Sequence, residues 1–177
     1  ILREMDRVGM IKCCSHTGYR TAREILDLSD RPVIFSHSNP RRLRDHPRNI
    51  PDELIKACAA TGGVVGINGV GLFLGDGDPT ADAVVRNIDY VAQLTGAEHA
   101  GLGLDYMFQG SGVEEPGRKS RELWPAEWGY RAGMGFLGPE AIPDIAEGLT
   151  RLGYAPAAIS GILGENLMRV ANAVWSS

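Results

Sequence analysis

The sequence is poor in cysteine, in long apolar runs and in basic clusters, and each shortage closes a class of protein. Three cysteines, Cys13, Cys14 and Cys58, cannot make a paired disulfide framework, so a reduced, cytoplasmic chain is expected. No apolar stretch approaches the ~18 residues of a membrane span, so no membrane segment is expected. The densest basic cluster, Arg41, Arg42 and Arg44, is followed at once by Asp45, and the net charge is −4. No basic run is long enough for a nucleic-acid arm, so no nucleic-acid partner is expected. Short-period repeats and low-complexity tracts are also missing, and no composition shift marks a domain boundary.

What is present is the material of an ordered α/β chain. Of 177 residues, 44% are hydrophobic and 23% charged, which argues against disorder. The 23 glycines and 10 prolines imply many short connections. Short apolar runs at Met10–Cys14, Val33–Phe35, Val64–Asn68 and Ala100–Asp105 read as strands. Helical patterns lie between and around them. They run over Thr21–Leu28, Pro51–Thr61, about Ala81–Thr95, Pro139–Leu152 and Pro156 to about Trp175. Asp78 or Thr80 is placed to cap the third of these. Strands alternating with helices predict βα units and a parallel sheet. Continuous apolar runs suit strands covered on both faces. A long stretch with Gly, Pro and Trp, about residues 106–138, reads as a loop. Leu2, Met5 and Val8 have helical spacing with Gly9 as a stop, so the chain is expected to open inside a helix and to be a fragment.

The polar residues fall in a telling place. His16, His37, Asn68 and Asp105 each follow a predicted parallel strand. In a βα barrel those strand ends converge on the face that holds the active site. Imidazole nitrogen and carboxylate oxygen both suit Zn²⁺, and a catalytic zinc keeps a position open for water. A lone histidine after a strand is more often a cap or a surface residue, but agreement across three strands favours a centre. The spacing of His16 and His37 fits one βα repeat, so neighbouring strands would supply them.

Other candidates carry less. His46 lies in a loop and His99 precedes its strand, so both are expected to be structural or surface residues. Arg48 is either a carboxylate binder or a solvated surface arginine. Cys13 and Cys14 are adjacent in a strand, with side chains on opposite faces, and are expected in the core. Gly101-x-Gly103 lacks a third glycine and lies inside a strand, so it is no dinucleotide fingerprint. Trp124, Trp128 and Tyr130 belong to a binding loop, a lid or an oligomer contact.

Three segments together carry a resemblance: Cys14-Ser15-His16-Thr17-Gly18, then Pro32-Val33-Ile34-Phe35-Ser36-His37-Ser38-Asn39, then His46-Pro47-Arg48-Asn49. They resemble the membrane (renal) dipeptidase family, zinc-dependent metallopeptidases with an amidohydrolase-like barrel. Gly101–Asp105 resembles the last barrel strand, and Ile162–Val170 resembles the C-terminal helix. The resemblance implies a (β/α)8 TIM-type barrel, of which residues 1–177 would be a single partial domain, the C-terminal half with strands five to eight. It implies His16 and His37 as ligands of one zinc of a two-zinc centre. Arg48 would hold the substrate carboxylate, and Asp105 would handle the proton of the attacking water. The implied substrate is a dipeptide with a free C-terminal carboxylate, D-residues tolerated, and a homodimer is a mild expectation.

The pattern also departs from the family. The His-x-Asp pair, the bridging Glu and a further His of the family have no counterpart here. Cys13 stands where many members have Asp. Tyr106-Met107-Phe108 stands where Phe-Asp-Gly is common. The chain alone is therefore expected to hold a two-His half-site, to bind zinc weakly and to turn over little substrate. A different barrel metallohydrolase, or a non-catalytic homologue used for binding or assembly, are the other readings.

Overall fold

Four short strands form one sheet in sequence order: β1 (Lys12–Cys13), β2 (Val33–Phe35), β3 (Val64–Ile67) and β4 (Ala100–Leu102). All neighbours run parallel, with Lys12 opposite Val33, Ile34 opposite Val64 and Gly66 opposite Gly101. This is a computed structural model, and it describes residues 1–75, 79–107, 126–130 and 135–175. Parallel neighbours need crossovers. Here they contain α2 (Tyr19–Leu28), α3 (Asp52–Ala60), and α4 (Gly71–Leu74) with α5 (Ala81–Thr95). Helix α1 (Leu2–Arg7) precedes the sheet; α6 (Ile142–Arg151), α7 (Pro156–Ser160) and α8 (Asn166–Trp175) follow it. The predicted α/β class with a parallel sheet is the fold found.

One face of the sheet makes the main core. Val33, Phe35, Val65, Ile67 and Ala100 pack with Leu26 of α2, Ile55 of α3, Ile88 of α5 and Leu149 of α6. On the other face Val64 joins Val170 and Val174 of α8. Helix starts follow local chemistry. Thr80 Oγ1 accepts from the Ala83 N–H at 3.2 Å, the predicted cap, whereas Asp78 lies outside the described residues. Asp52 and Glu53 sit in the first turn of α3, where the helix dipole favours negative charge.

Several expectations change in detail. β4 stops at Leu102, short of Asp105. The final predicted helix is two, because residues Gly161–Glu165 make a π-type turn between α7 and α8. That turn lets the Asn166 amide donate to the Ala97 and Ala100 carbonyls, each at 2.9 Å. Cys14 is buried as expected, but Cys13 is exposed and is not a core residue. Lys12, 2% exposed inside β1, pairs with Asp6 of α1.

Two glycines hold the sheet close at one point. A Cβ on Gly66 would lie 2.4 Å from the Ser36 carbonyl oxygen, and one on Gly103 would lie 1.9 Å from it. The Ser36 carbonyl, just past β2, thus lies close against the backbone at Gly66 of β3 and at Gly103 just past β4.

Candidate metal centre and substrate cleft

The C-terminal ends of all four strands carry the predicted site residues. His16 lies three residues past β1, His37 two past β2, Asn68 directly after β3 and Asp105 three past β4. His16 and Asp105 have φ of 62° and 55°. Left-handed backbone is uncommon for residues with a Cβ and collects at functional sites, where the surrounding fold must hold it.

The two histidines meet. Their Nε2 atoms are 2.9 Å apart and their ring centroids 4.9 Å apart. Ser36 Oγ lies 2.7 Å from His37 Nδ1, and the His37 N–H donates to Ser15 Oγ at 3.0 Å. Desolvation holds His16 below the usual imidazole range, with the Arg48 guanidinium and His37 adding to it and Asp105 opposing. His37 is lowered as well, by desolvation foremost, with Asp105 opposing and Arg48 assisting. Both are therefore neutral at pH 7, the form that binds metal.

Asp105 accepts from Asn68 Nδ2 through Oδ2 at 3.1 Å. Asn68 is 1% exposed, and both its side-chain oxygen and nitrogen have partners. Its Oδ1 accepts from the Val70 N–H at 2.6 Å, and its N–H donates to Asn39 Oδ1 at 2.8 Å. Asn39 Nδ2 donates to the Asn68 and Phe73 carbonyls. This buried amide network sets the Asp105 carboxylate through the Asn68 Nδ2 donor.

Arg48 faces the same centre. Its Nη2 donates to the His37 carbonyl at 3.3 Å, and its guanidinium lies 5.8 Å from the Phe73 ring centroid. No carboxylate forms an ion pair with it among the described residues, and desolvation lowers its pKa. His46 holds it in place. His46 Nδ1 accepts the Arg48 N–H at 3.0 Å, and Nε2–H donates to the Trp128 carbonyl at 2.8 Å. The His46 ring sits against Phe73 and Tyr130 at 5.0 and 5.8 Å between centroids. At 4% exposure His46 is structural, not a surface residue. His99 is structural too, bonding the Gly63 carbonyl through Nδ1 at 2.8 Å.

A cleft of about 270 Å³ opens beside these groups, with His16, Arg48, Tyr19, Leu54, Trp128 and Tyr130 in its lining. Trp124 lies outside the described residues. The donor chemistry fits zinc, since two neutral imidazole nitrogens converge. Among the described residues, however, no group of three or more His, Cys, Asp or Glu comes together. The described residues bring two imidazole donors together, those of His16 and His37. Sequence reasoning missed Ser36, Asn39 and the role of His46. Their signal was present in the Ser-His and His-x-Arg-Asn spacings, but the same patterns also read as caps and turns.

The family model described as Membrane dipeptidase (Peptidase family M19) matches residues 1–120. The chain belongs to that family. Its members are metallopeptidases, and its fold neighbours include amidohydrolases. An uncharacterized dipeptidase of Schizosaccharomyces pombe is 34% identical over 173 residues, 96% of this chain and 37% of the relative. The dipeptidase verJ of Clonostachys rogersoniana is 29% identical over 98% of this chain and 40% of its own. Among solved structures, an amidohydrolase from Pseudomonas aeruginosa superposes with a TM-score of 0.82 at 33% identity. It covers 99% of this chain and 56% of its own. A metallo peptidase from Rhodobacter sphaeroides, liganded with a phosphinate mimic of L-Ala-D-Ala, shares the fold with a TM-score of 0.71 at 20% identity. It covers 98% of this chain and 45% of its own. The chain thus spans about two fifths of the length of these curated dipeptidase-family relatives. No helix among the described residues is long and apolar enough to cross a membrane.

Proposed function

We propose that this chain is the C-terminal half of a (β/α)8 barrel, strands five to eight, from a zinc-dependent dipeptidase. Four parallel strands in sequence order and the partial coverage of dipeptidase-family relatives support the half-barrel reading. The observation that carries the function is the convergence of His16 Nε2 and His37 Nε2 at 2.9 Å beside Arg48. His16 and His37 would hold one zinc. When bound there, zinc supplies Lewis acidity, which polarises a carbonyl and acidifies water.

The chain's own groups do the rest. Arg48, without a carboxylate partner in an ion pair among the described residues, binds the C-terminal carboxylate of a dipeptide. His46 keeps the Arg48 backbone in place. Asp105 takes the proton of the attacking water on Oδ1, because Oδ2 is held by Asn68. Alone, the chain binds zinc weakly and hydrolyses little. A homodimer belongs to the same reading, since β1 and β4 each present an unpaired edge among the described residues. Zinc titration of the chain, with His16→Ala and His37→Ala, tests the centre: both variants should lose the bound zinc. A dipeptide-hydrolysis assay with added zinc tests the rest, and robust turnover abolished by His37→Ala would overturn the claim of inactivity.

A further inference from the structure

The loop from residue 40 to residue 50 closes on itself. Pro40 and Ile50 pair as a parallel bridge. The Arg41 N–H donates to the Ile50 carbonyl at 2.8 Å, and the Ile50 N–H donates to the Asn39 carbonyl at 2.9 Å. An arginine stands near each end of this loop, Arg41 and Arg48, and both line the cleft. They are anchored at different places. Arg48 Nη2 donates to the His37 carbonyl, beside the histidine pair. Arg41 ends on the backbone either side of Arg48. Its Nε donates to the Asn49 carbonyl at 3.1 Å and its Nη2 to the Pro47 carbonyl at 3.5 Å. Nη1 of Arg41 takes no part in either bond, so the guanidinium has N–H groups left to give.

The charge on this wall is of one sign. Among the described residues, the cleft lining holds both arginines and no aspartate or glutamate. Neither guanidinium forms an ion pair with a carboxylate among the described residues. A concave wall with two fixed positive charges and no counter-charge favours anions. One carboxylate fills one guanidinium fork. With the C-terminal carboxylate of a dipeptide on Arg48, Arg41 is left for a second anion. Arg41 is tied to the peptide groups that flank Arg48, so the second anion lies next to the first. In a dipeptide, the group next to the C-terminal carboxylate is the side chain of the same residue.

We propose that Arg41 is a specificity-determining residue that binds a side-chain carboxylate, and that the preferred substrates are dipeptides ending in aspartate or glutamate. This rests on Arg48 as the holder of the C-terminal carboxylate, and each arginine has its own variant in the test.

Binding to the 177-residue chain tests it without turnover. Calorimetric titration compares alanyl-glutamate, its amide alanyl-glutamine and the reversed glutamyl-alanine. Alanyl-glutamate should bind about threefold to tenfold tighter than alanyl-glutamine. High salt should shrink that ratio. Glutamyl-alanine has the same net charge as alanyl-glutamate, yet should bind no tighter than alanyl-glutamine. Arg41→Gln keeps an amide for the Asn49 carbonyl and removes the charge, so it should bring the ratio to about one. Arg48→Gln should weaken both C-terminal ligands by the same factor and keep the ratio. Equal binding of acid and amide by the native chain overturns the proposal. So does an equal gain for glutamyl-alanine, or no detectable binding of any of the three. A ratio that survives Arg41→Gln means that Arg41 only supports the 47–49 turn, and overturns it too. If Arg41→Gln fails to fold, ¹⁵N spectra of the native chain decide. The Arg41 Nε–H signal should then move with alanyl-glutamate and stay with alanyl-glutamine, and equal movement overturns the proposal. If Arg48→Gln leaves both affinities unchanged, the carboxylate reading of Arg48 fails, while the acid-to-amide ratio still decides the role of Arg41.

Discussion

The two ends of the sheet treat their polar side chains in opposite ways. At the N-terminal ends of β3 and β4, polar groups terminate on backbone carbonyls, whereas Lys12 at the start of β1 pairs with Asp6. Arg169 donates to the Gly62 and Glu98 carbonyls at 2.8 and 2.7 Å, Asn166 to Ala97 and Ala100, and His99 bonds Gly63. At the C-terminal ends, the histidine rings face each other and the Asp105 carboxylate meets a side-chain amide, that of Asn68, through Oδ2. Arg48 sits between these roles, with one bond to a carbonyl and no carboxylate in an ion pair among the described residues. A side chain whose bonds end on the backbone stabilises the fold. A side chain facing another one, with lone pairs left over, is ready for a ligand.

That contrast is open to breakage, beginning with the largest effect. His16→Ala or His37→Ala should weaken zinc binding by about 100-fold or more, since each removes one of two donors. His99→Gln should leave zinc binding untouched in the same titration. Next, Asn166→Leu should cost about 2 kcal/mol in urea unfolding, because it removes two amide-to-carbonyl hydrogen bonds at the start of β4. Zinc affinity should not move. A zinc defect in that variant would mean the two ends are coupled.

The pH dependence separates the ends more gently. His16, His37 and His46 are all held below the ordinary value of 6.5. Between the folded and unfolded values, the unfolded chain therefore binds more protons, and stability rises with pH. Their contribution is complete above about 6.5 and is lost as pH falls through the lowered values. Chelator-treated thermal melts from pH 7.5 to 5 should show this fall. His46→Gln should flatten it. The smallest effect belongs to the surface. Arg23→Ala, which removes the exposed pair with Asp27, should change stability by less than about 0.5 kcal/mol.

Much of the layout was legible in the residues. Val33–Phe35 and Ala81–Thr95 were placed to the residue, and the strand ends correctly marked where His16, His37, Asn68 and Asp105 would stand. Both signals are local, since apolar period and capping chemistry act within a few residues. The breaks came where distant groups intervene. The last helix opens at Gly161–Glu165 because Asn166 reaches the start of β4. The short helix α4 follows β3 without a periodic signal of its own and is held by the 135–137 segment, as in the bond from the Gly71 N–H to the Gly135 carbonyl. Cys13 reads as a core residue because it lies in an apolar run, yet it is exposed beside Ser36.

The sequence by itself determined the parallel α/β class, the order of its elements and the types of side chain at the strand ends. Periodicity and punctuation are enough for those, because burial of apolar faces sets them. The tertiary structure decided which of those side chains meet. It brought His16 Nε2 to His37 Nε2, set Asn68 under Asp105, and turned His46 from a loop residue into the support of Arg48. Such pairings depend on distances across strands, on glycine contacts at Ser36 and on left-handed backbone at His16 and Asp105. None of these is written in local spacing, because each is imposed by packing between segments far apart in the chain.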